Sequence, residues 1–497
     1  MLNELEPDSL IVTTSGETFR VSKALAQAFQ PGDLVIPNSQ HGLVHLANKE
    51  RQIVDTAVSQ SLEAFATMQQ VTDDQVTDFF NTFCDALKSE KIWRSIERIN
   101  QQDVAKAKAK GRSTTRLQVS ENMRASMIDG LREWAESKPS RNSIVETIDH
   151  DHFQIQLETS ALGVVGFVFE GRPNVLADAC GVLRGGNTAI FRIGSDALQT
   201  AQAMMELALR PSLVRSGLPE DAIVLVDSSA HAAGWALFLD SRLALAVARG
   251  SGESVELLGS LARSVGTPVS LHGTGGGWMI VADTAVPEIL RQCVIASLDR
   301  KVCNTLNTCC VVASKANELV PVLLEGLNKA AANLGQEYRL HVAEGSEAFI
   351  SGGAFNRKVT VHRADGQHEE FQASTLPVGD IGREWEWETS PEITLIVVQS
   401  LEEAIDLFNA HSPRLVASLI SNDEQEHQHF YQRVDAPFIG DNHTRWVDGQ
   451  RALNKPELGL SNWANGRLFG RHAILTGDSV YTVRTRYIDA STGRSRT

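Results

Sequence analysis

The sequence predicts an α/β protein made of two doubly wound parallel-sheet lobes with a β-ribbon oligomerisation element attached. Three observations carry that expectation. Apolar runs such as Val164-Val165-Gly166-Phe167-Val168-Phe169 alternate with stretches of helical periodicity, the pattern of parallel strands covered on both faces. The pattern restarts near Pro287, where a helical stretch leads to a second apolar strand, Cys309-Cys310-Val311-Val312. Polar and apolar residues alternate along Ile144-Val145-Glu146-Thr147-Ile148-Asp149 and Phe153-Gln154-Ile155-Gln156-Leu157-Glu158, which predicts a two-stranded ribbon turning at Asp149-His150-Asp151-His152.

Taken in order, residues 1–48 read as short strands and turns, with Leu10-Ile11-Val12-Thr13-Thr14 and Leu34-Val35-Ile36 separated by Gly16 and Pro31-Gly32. Val54, Ala57, Val58, Leu62 and Phe65, and later Met123, Met127, Leu131 and Trp134, recur at helical spacing. After the ribbon come a strand at 162–169, a helix over 175–183, a strand at 187–192 and a helix over 197–216. Further apolar strands are expected at 223–226, 243–247 and 269–271.

At 497 residues the chain is long enough for two or three domains, since single cores stop growing near roughly 250–300 residues. Its formal charge of -15 argues against nucleic-acid binding, which needs concentrated Lys and Arg. The one basic stretch, Lys106 to Arg112, reads as a solvated helix end. Six cysteines without a framework spacing suit a reducing compartment. No basic-plus-apolar signal opens the chain, and no apolar run reaches the roughly 18 residues of a membrane span, so a cytoplasmic protein with no membrane partner is expected. The Asp-His-Asp-His tip reads as solvated turn residues, and no metal is expected.

Cys303 is the most telling residue. It follows Arg300 and Lys301, and adjacent cations favour the thiolate that nucleophilic catalysis requires. The competing reading is a small buried core side chain. Its place at the entry to the second lobe puts the thiol near an interlobe junction, a common ligand location.

The motifs around it, in their order, resemble the γ-glutamyl phosphate reductase (glutamate-5-semialdehyde dehydrogenase) family of the aldehyde dehydrogenase superfamily, over about residues 99–486. The resemblance rests on Gly163-Val164-Val165-Gly166 running to Glu170-Gly171-Arg172-Pro173-Asn174-Val175, on Gly186-Asn187-Thr188 to Gly194-Ser195-Asp196, and on Arg249-Gly250-Ser251-Gly252. Leu271-His272-Gly273-Thr274-Gly275, Cys303-Asn304, Asn442-His443-Thr444-Arg445 and Phe469-Gly470-Arg471 complete it. It implies a dinucleotide-binding domain at 49–286 with the oligomerisation ribbon 144–158 inserted. A catalytic domain at 287–464 carries Cys303, a C-terminal return and oligomerisation tail spans 465–497, and the segment to residue 48 is an extension with no counterpart.

The implied activity is NADPH-dependent reduction of L-glutamyl 5-phosphate to L-glutamate 5-semialdehyde through a Cys303 thioester, in proline biosynthesis. Functional coupling to a glutamate kinase and a homodimer or homotetramer go with it. Cys303, Asn304 and Asn174 would be catalytic, with Asn174 either a donor to the acyl oxygen or a helix cap. Arg192, Gly194, Ser195, Gly250, Ser251, Gly252 and Glu388 would face the cofactor. Arg192 would favour a 2′-phosphate unless it is a surface strand-end cation, and Gly250 and Gly252 admit close backbone approach or form an ordinary turn. Arg172, Arg300 and Arg445 would hold substrate, with a structural ion pair the alternative for Arg445.

The sequence departs from the family at four places, one being the shorter run Asp299-Arg300-Lys301-Val302 before Cys303. Leu271 stands where a carboxylate base would be, which disfavours hydrolysis of a thioester. Asn307 replaces a Glu, and Ala410-His411-Ser412-Pro413-Arg414-Leu415 lacks the family's Gly-Ser-Gly-His run, which puts substrate recognition in question. Two other readings therefore stay open: a reductase of another acyl phosphate or an acyl-CoA, and a catalytically retired scaffold.

Overall fold

The computed structural model describes residues 4–112, 114, 117–169, 171–363, 365–446, 457–461, 463–464, 467–468 and 474–489. Two parallel sheets organise it. The first has five strands in the order Val269–His272, Leu245–Arg249, Val164–Phe169, Thr188–Ile193, Ile223–Leu225, all parallel. The chain runs outward from Val164–Phe169 to one edge and then returns to build the other. The strand order thus reverses beside Val164–Phe169, and ligands bind outside the carboxyl ends of strands at such a switch point.

Side-chain alternation explains why these runs are apolar throughout. Phe167, Phe169 and Phe191 point to one face and pack with Phe79, Phe80, Phe83 and Trp134 of the helices Asp73–Lys88 and Glu121–Glu136. Val164, Val168 and Ile190 point to the other, against Val58, Phe238 and Leu258. The helices start where their caps dictate. Thr72 accepts from Gln75 N–H while the Gln75 side chain accepts from Thr72 N–H, and Ser120 accepts from Met123 N–H.

The second sheet has seven parallel strands, in the order Ala373–Leu376, Arg339–Ala343, Glu392–Val398, Leu306–Val312, Gly277–Val281, Val416–Ile420, Phe438–Asp441. It includes Gly277–Val281, upstream of Pro287 where the sequence reading begins the second lobe. The crossing from one sheet to the other is thus a four-residue link, residues 273–276, between adjacent strands.

The ribbon forms as Ile144–Asp149 paired with Phe153–Ala161, and Tyr481–Asp489 adds a third antiparallel strand to it. Ile144, Val145 and Ile148 on its outer strand are exposed. The N-terminal segment makes two hairpins, Leu10–Val12 with Thr18–Arg20 and Leu34–Asn38 with Gly42–Leu46. The second is docked rather than loose. Val44 and Leu46 enter the first sheet's core, and Asn38 donates to Ser260 at 2.8 Å.

Three expectations are corrected in detail. The helix expected over 197–216 is broken into Leu198–Met204, a wide turn at Met205–Leu209 and Arg210–Arg215, because Pro211 has no N–H to continue the regular ladder. The helix expected over 175–183 ends at Ala179 and continues as a tighter helix over Cys180–Gly185. The basic stretch after 106 is not simply solvated, since Lys106 donates to Gln199 at 2.6 Å and Arg112 pairs with Asp196 at 2.7 Å. Among the described residues, no helix is long and apolar enough to cross a membrane.

Candidate active site

Cys303 sits in a turn between the helix Pro287–Ala296 and the strand Leu306–Val312. The turn is locked by Thr305, whose Oγ1 accepts from Val302 N–H at 2.9 Å and donates to Arg300 O at 2.7 Å. The link between the sheets lies directly beneath. Gly276 N–H donates to Cys303 O at 2.6 Å, and a Cβ on residue 275 would stand 2.8 Å from Cys303 Cα and 3.0 Å from its Cβ. Only glycine allows that approach.

Of the six cysteines, five are buried and Cys303 alone is partly exposed; none is in a disulfide. Burial pushes the Cys293 thiol up to about 11 and Cys309 to about 12. A thiol held protonated is a poor nucleophile. Exposure therefore singles out Cys303.

The charges around it differ from expectation. Lys301 is buried, with Nζ 2.6 Å from Glu384 Oε1, and Glu384 Oε2 accepts from Gly275 N–H at 2.5 Å. Arg300 is largely exposed, 4.0 Å from Asp299. Of the two cations that the sequence places beside the thiol, Lys301 is thus held by a carboxylate, while Arg300 stays in solvent.

Arg445, expected at the substrate, is buried, with Nε 2.9 Å from Asp299 and Nη1 donating to Asn304 Oδ1 at 2.9 Å. The geometry favours the structural ion pair for Arg445. It also makes Asn304, itself buried, a brace behind the thiol turn. Asn307 is a second brace, donating to Arg383 O and accepting from Trp385 N–H, both at 2.9 Å, which holds Glu384 between them. Sequence reasoning missed Glu384, because its partner lies 83 positions away.

The cofactor candidates gather at the carboxyl ends of the first sheet. Gly194 N–H donates to Phe169 O at 3.1 Å, joining two strand ends, and Ser195 beside it is exposed. Arg192 is buried, with Nη2 donating to Ser229 O at 2.9 Å, so the surface-cation reading fails. Gly250 N–H donates to His272 O at 3.2 Å, and Ser251 precedes the helix Gly252–Ser264. A Cβ on residue 252 would stand 2.6 Å from Thr274 Oγ1, so a side chain here would press on the link's threonine.

Arg172 and Asn174 follow the strand Val164–Phe169 and are half-buried. Asn174 Nδ2 donates to Asp178 at 2.6 Å, and its side chain caps no helical N–H, which disposes of the side-chain cap. Glu388 is exposed, and its N–H donates to His362 O of the hairpin Lys358–Arg363 and Gly366–Phe371. The glutamates of that run that meet the thiol turn are Glu384, 2.6 Å from Lys301, and Glu386, 3.9 Å from it. Leu271 packs on the first sheet's core beside the helix Gly252–Ser264 and supplies no base. Phe469, Gly470 and Arg471, the last motif of the resemblance, lie outside the described residues.

One further group borders the thiol. Leu415, Val416 and Phe438 form a small buried apolar cluster against which Cys303 and Trp446 pack.

The aldehyde dehydrogenase family model matches residues 26–343, which span both sheets' central strands and the thiol. The chain belongs to the aldehyde dehydrogenase family. A gamma-glutamyl phosphate reductase of a Geobacillus strain is 27% identical over 433 residues, covering 84% of this chain and 95% of that protein. One from Clostridium tetani is 26% identical over 371 residues, covering 73% and 81%. The crystal structure of gamma-glutamyl phosphate reductase from Thermotoga maritima superposes with a TM-score of 0.75 at 19% identity, covering 89% of this chain and all of that one. Glyceraldehyde-3-phosphate dehydrogenase from Methanocaldococcus jannaschii, solved with NADP, has a TM-score of 0.62 at 14% identity, covering 93% of this chain and 100% of that one. Family and relatives together make this protein an aldehyde-forming oxidoreductase.

Proposed function

We propose that this protein reduces an acyl phosphate to the corresponding aldehyde through a thioester on Cys303, in the cytoplasm, as a homodimer or homotetramer paired through the ribbon. The observation that carries the proposal is the placement of the one partly exposed thiol on a rigid turn against the link that leaves the cofactor-side sheet.

The Cys303 thiolate attacks the acyl carbon, a C–S bond forms, the C–O bond to phosphate breaks and inorganic phosphate leaves. Negative charge develops on the acyl oxygen. Backbone N–H groups of the thiol turn and the Asn174 amide, which has a second N–H beyond the one given to Asp178, supply donors for it. Collapse after reduction breaks the C–S bond, frees the aldehyde and restores the thiolate. Leu271 offers no base to activate water, which disfavours hydrolysis of the thioester.

The residues present fit a dinucleotide. At the first sheet's carboxyl edge, just past strand ends tied by Gly194 and Gly250, stand the exposed Ser195 and Ser251 and the start of the helix Gly252–Ser264. Arg192 just before them, and Arg112 brought in by Asp196, favour the 2′-phosphate of NADPH. Bound there, NADPH supplies the hydride that converts the thioester to the aldehyde level.

The relatives' name nominates L-glutamyl 5-phosphate as donor, with glutamate 5-semialdehyde as product, proline biosynthesis as the setting and a glutamate kinase as the upstream supplier. A reductase of another acyl group is the second reading, favoured by the engagement of Lys301 and Arg445 inside the protein. The test of the reaction is aldehyde oxidation with NADP in the presence and absence of phosphate. Phosphate-dependent turnover that NAD supports poorly is the expected result. Turnover that needs CoA and ignores phosphate would overturn the acyl-phosphate assignment.

A further inference from the structure

Glu384 joins separate segments of the chain through one carboxylate. Its Oε1 lies 2.6 Å from Lys301 Nζ on the thiol turn, and its Oε2 accepts from Gly275 N–H at 2.5 Å on the link between the sheets. The link carries on from Val269–His272, the edge strand of the first sheet, so the contact ties the cofactor-side sheet to the turn that bears the thiol. Glu384 is itself held from both sides, because Asn307 donates to Arg383 O and accepts from Trp385 N–H. Trp385 is anchored in turn, with Nε1 donating to Thr394 at 2.8 Å and its ring stacked on His341.

Gly275 is also the residue against which Cys303 rests. A Cβ there would stand 3.0 Å from Cys303 Cβ, so the amide that holds Glu384 belongs to the residue in contact with the thiol's own carbon atoms. Fixed charge that near changes a thiol: a cation favours the thiolate and an anion opposes it. The Lys301 and Glu384 side chains are only 6% and 14% exposed, so solvent and salt screen neither well. One clamp therefore fixes where the thiol stands and offsets the cation nearest to it in sequence among buried side chains.

Other charges border the turn. Glu386 lies 3.9 Å from Lys301, Arg300 is exposed beside Asp299, Arg445 is bonded to Asp299 and Asn304, and Arg383 stacks over Trp385. Arg414, next to Leu415, is turned to Asp435, His272 ends the strand before the link, and the half-buried Arg172 follows the strand Val164–Phe169. None of these groups differs among the variants compared below. They set the baseline and cancel from the differences.

We infer that Glu384 is a positioning residue for the proposed reaction: through Gly275 it seats Cys303 against the link, and by offsetting Lys301 it sets the pH at which the thiol becomes a nucleophile. The inference rests on the thioester reading above and adds to it the group that governs the nucleophile.

The experiment compares the full chain with Glu384→Gln, Lys301→Met and the double variant. Alkylation of Cys303 by iodoacetamide is followed against pH by peptide mass spectrometry, with the five buried cysteines as internal controls. Acylation of Cys303 by an acyl phosphate is read on the same proteins. The alkylation midpoint is expected about one pH unit lower in Glu384→Gln, about one unit higher in Lys301→Met, and near the wild-type value in the double variant. Opposite signs separate charge from architecture, because damage to the turn alone slows both single variants without driving their midpoints apart. If one single variant fails to fold, the other compared with the double variant reads the same sign. Glu384→Ala, which also loses the acceptor for Gly275, should have a kcat about tenfold below that of Glu384→Gln, and equal values would overturn the seating of the thiol. Midpoints that coincide or move together overturn the control of its charge, while acylation of the wild-type Cys303 leaves the thioester reading standing. No acylation of the wild-type thiol overturns that reading and the inference with it.

Discussion

The two sides of the junction between the sheets are built differently. On the thiol side, the Lys301 side chain is bonded to Glu384, Arg445 to Asp299 and Asn304, and Asn307 to the backbone of residues 383 and 385. On the cofactor side, Ser195 and Ser251 are exposed, and the stretch is shaped by backbone contacts such as Gly194 N–H to Phe169 O. A nucleophile must be held in one geometry before reaction, which favours a braced turn. A dinucleotide must arrive and leave, which favours accessible N–H groups at strand ends. The difference teaches that polar residues beside a catalytic atom need not touch substrate; here most of them hold the turn.

If that contrast is right, the largest effect comes from cutting the thiol-side brace. Glu384→Ala leaves the buried Lys301 ammonium without this carboxylate and frees Gly275 N–H, and should lower stability by about 3 kcal/mol or more. Glu384→Gln, which keeps an acceptor for Gly275, should lose less. Denaturant unfolding ranks the two, and equal losses would show that the pair braces nothing.

On the other side the expected effect is smaller and of another kind. Gly252→Ala drives a methyl into Thr274 Oγ1, 2.6 Å from the ideal Cβ, and so shifts the link beneath Cys303. The fold should lose about 1–3 kcal/mol, and kcat should fall about tenfold through misplacement of the thiol. Unchanged kcat with weakened NADPH binding would make the glycine a cofactor contact alone.

Farther from the junction, the thiol lobe carries a buried histidine whose effect should be the smallest. Trp385, whose backbone Asn307 holds, stacks on His341 at 3.5 Å, and His341 Nε2 lies 2.6 Å from the fully buried Glu392. Burial holds the imidazole below its ordinary value of 6.5, against the pull of Glu392. Because the folded value is depressed, the stability it contributes is present above the unfolded value and is lost as pH falls through 6.5 and below. Melting temperature should drop on the order of 2 °C between pH 7.5 and 5.5, and His341→Asn should remove that part of the drop. A pH dependence untouched by the variant would assign it elsewhere.

Much of this was legible locally. The strands were readable because sheets covered on both faces demand unbroken apolar runs, as in Val164–Phe169 and Leu306–Val312. The thiol was readable because its turn is short and marked by cations. What escaped was pairing at a distance: Lys301 with Glu384, Arg112 with Asp196, and Leu415 with Cys303. The run at 410–415 was flagged only as a departure, and nothing in its composition says that Arg414 turns back while Leu415 faces the thiol. The hairpin at 358–371 also escaped, since its second strand, Gly366–Phe371, is largely polar and exposed, with no core face to mark it.

The central claim is that Cys303 carries the acyl group during turnover. Incubation with an acyl phosphate in the absence of nicotinamide cofactor, followed by intact-protein and peptide mass spectrometry, should show one acyl adduct, on Cys303, absent in Cys303→Ser and discharged on addition of NADPH. An adduct on another residue, or aldehyde formation by Cys303→Ser at the wild-type rate, would contradict it.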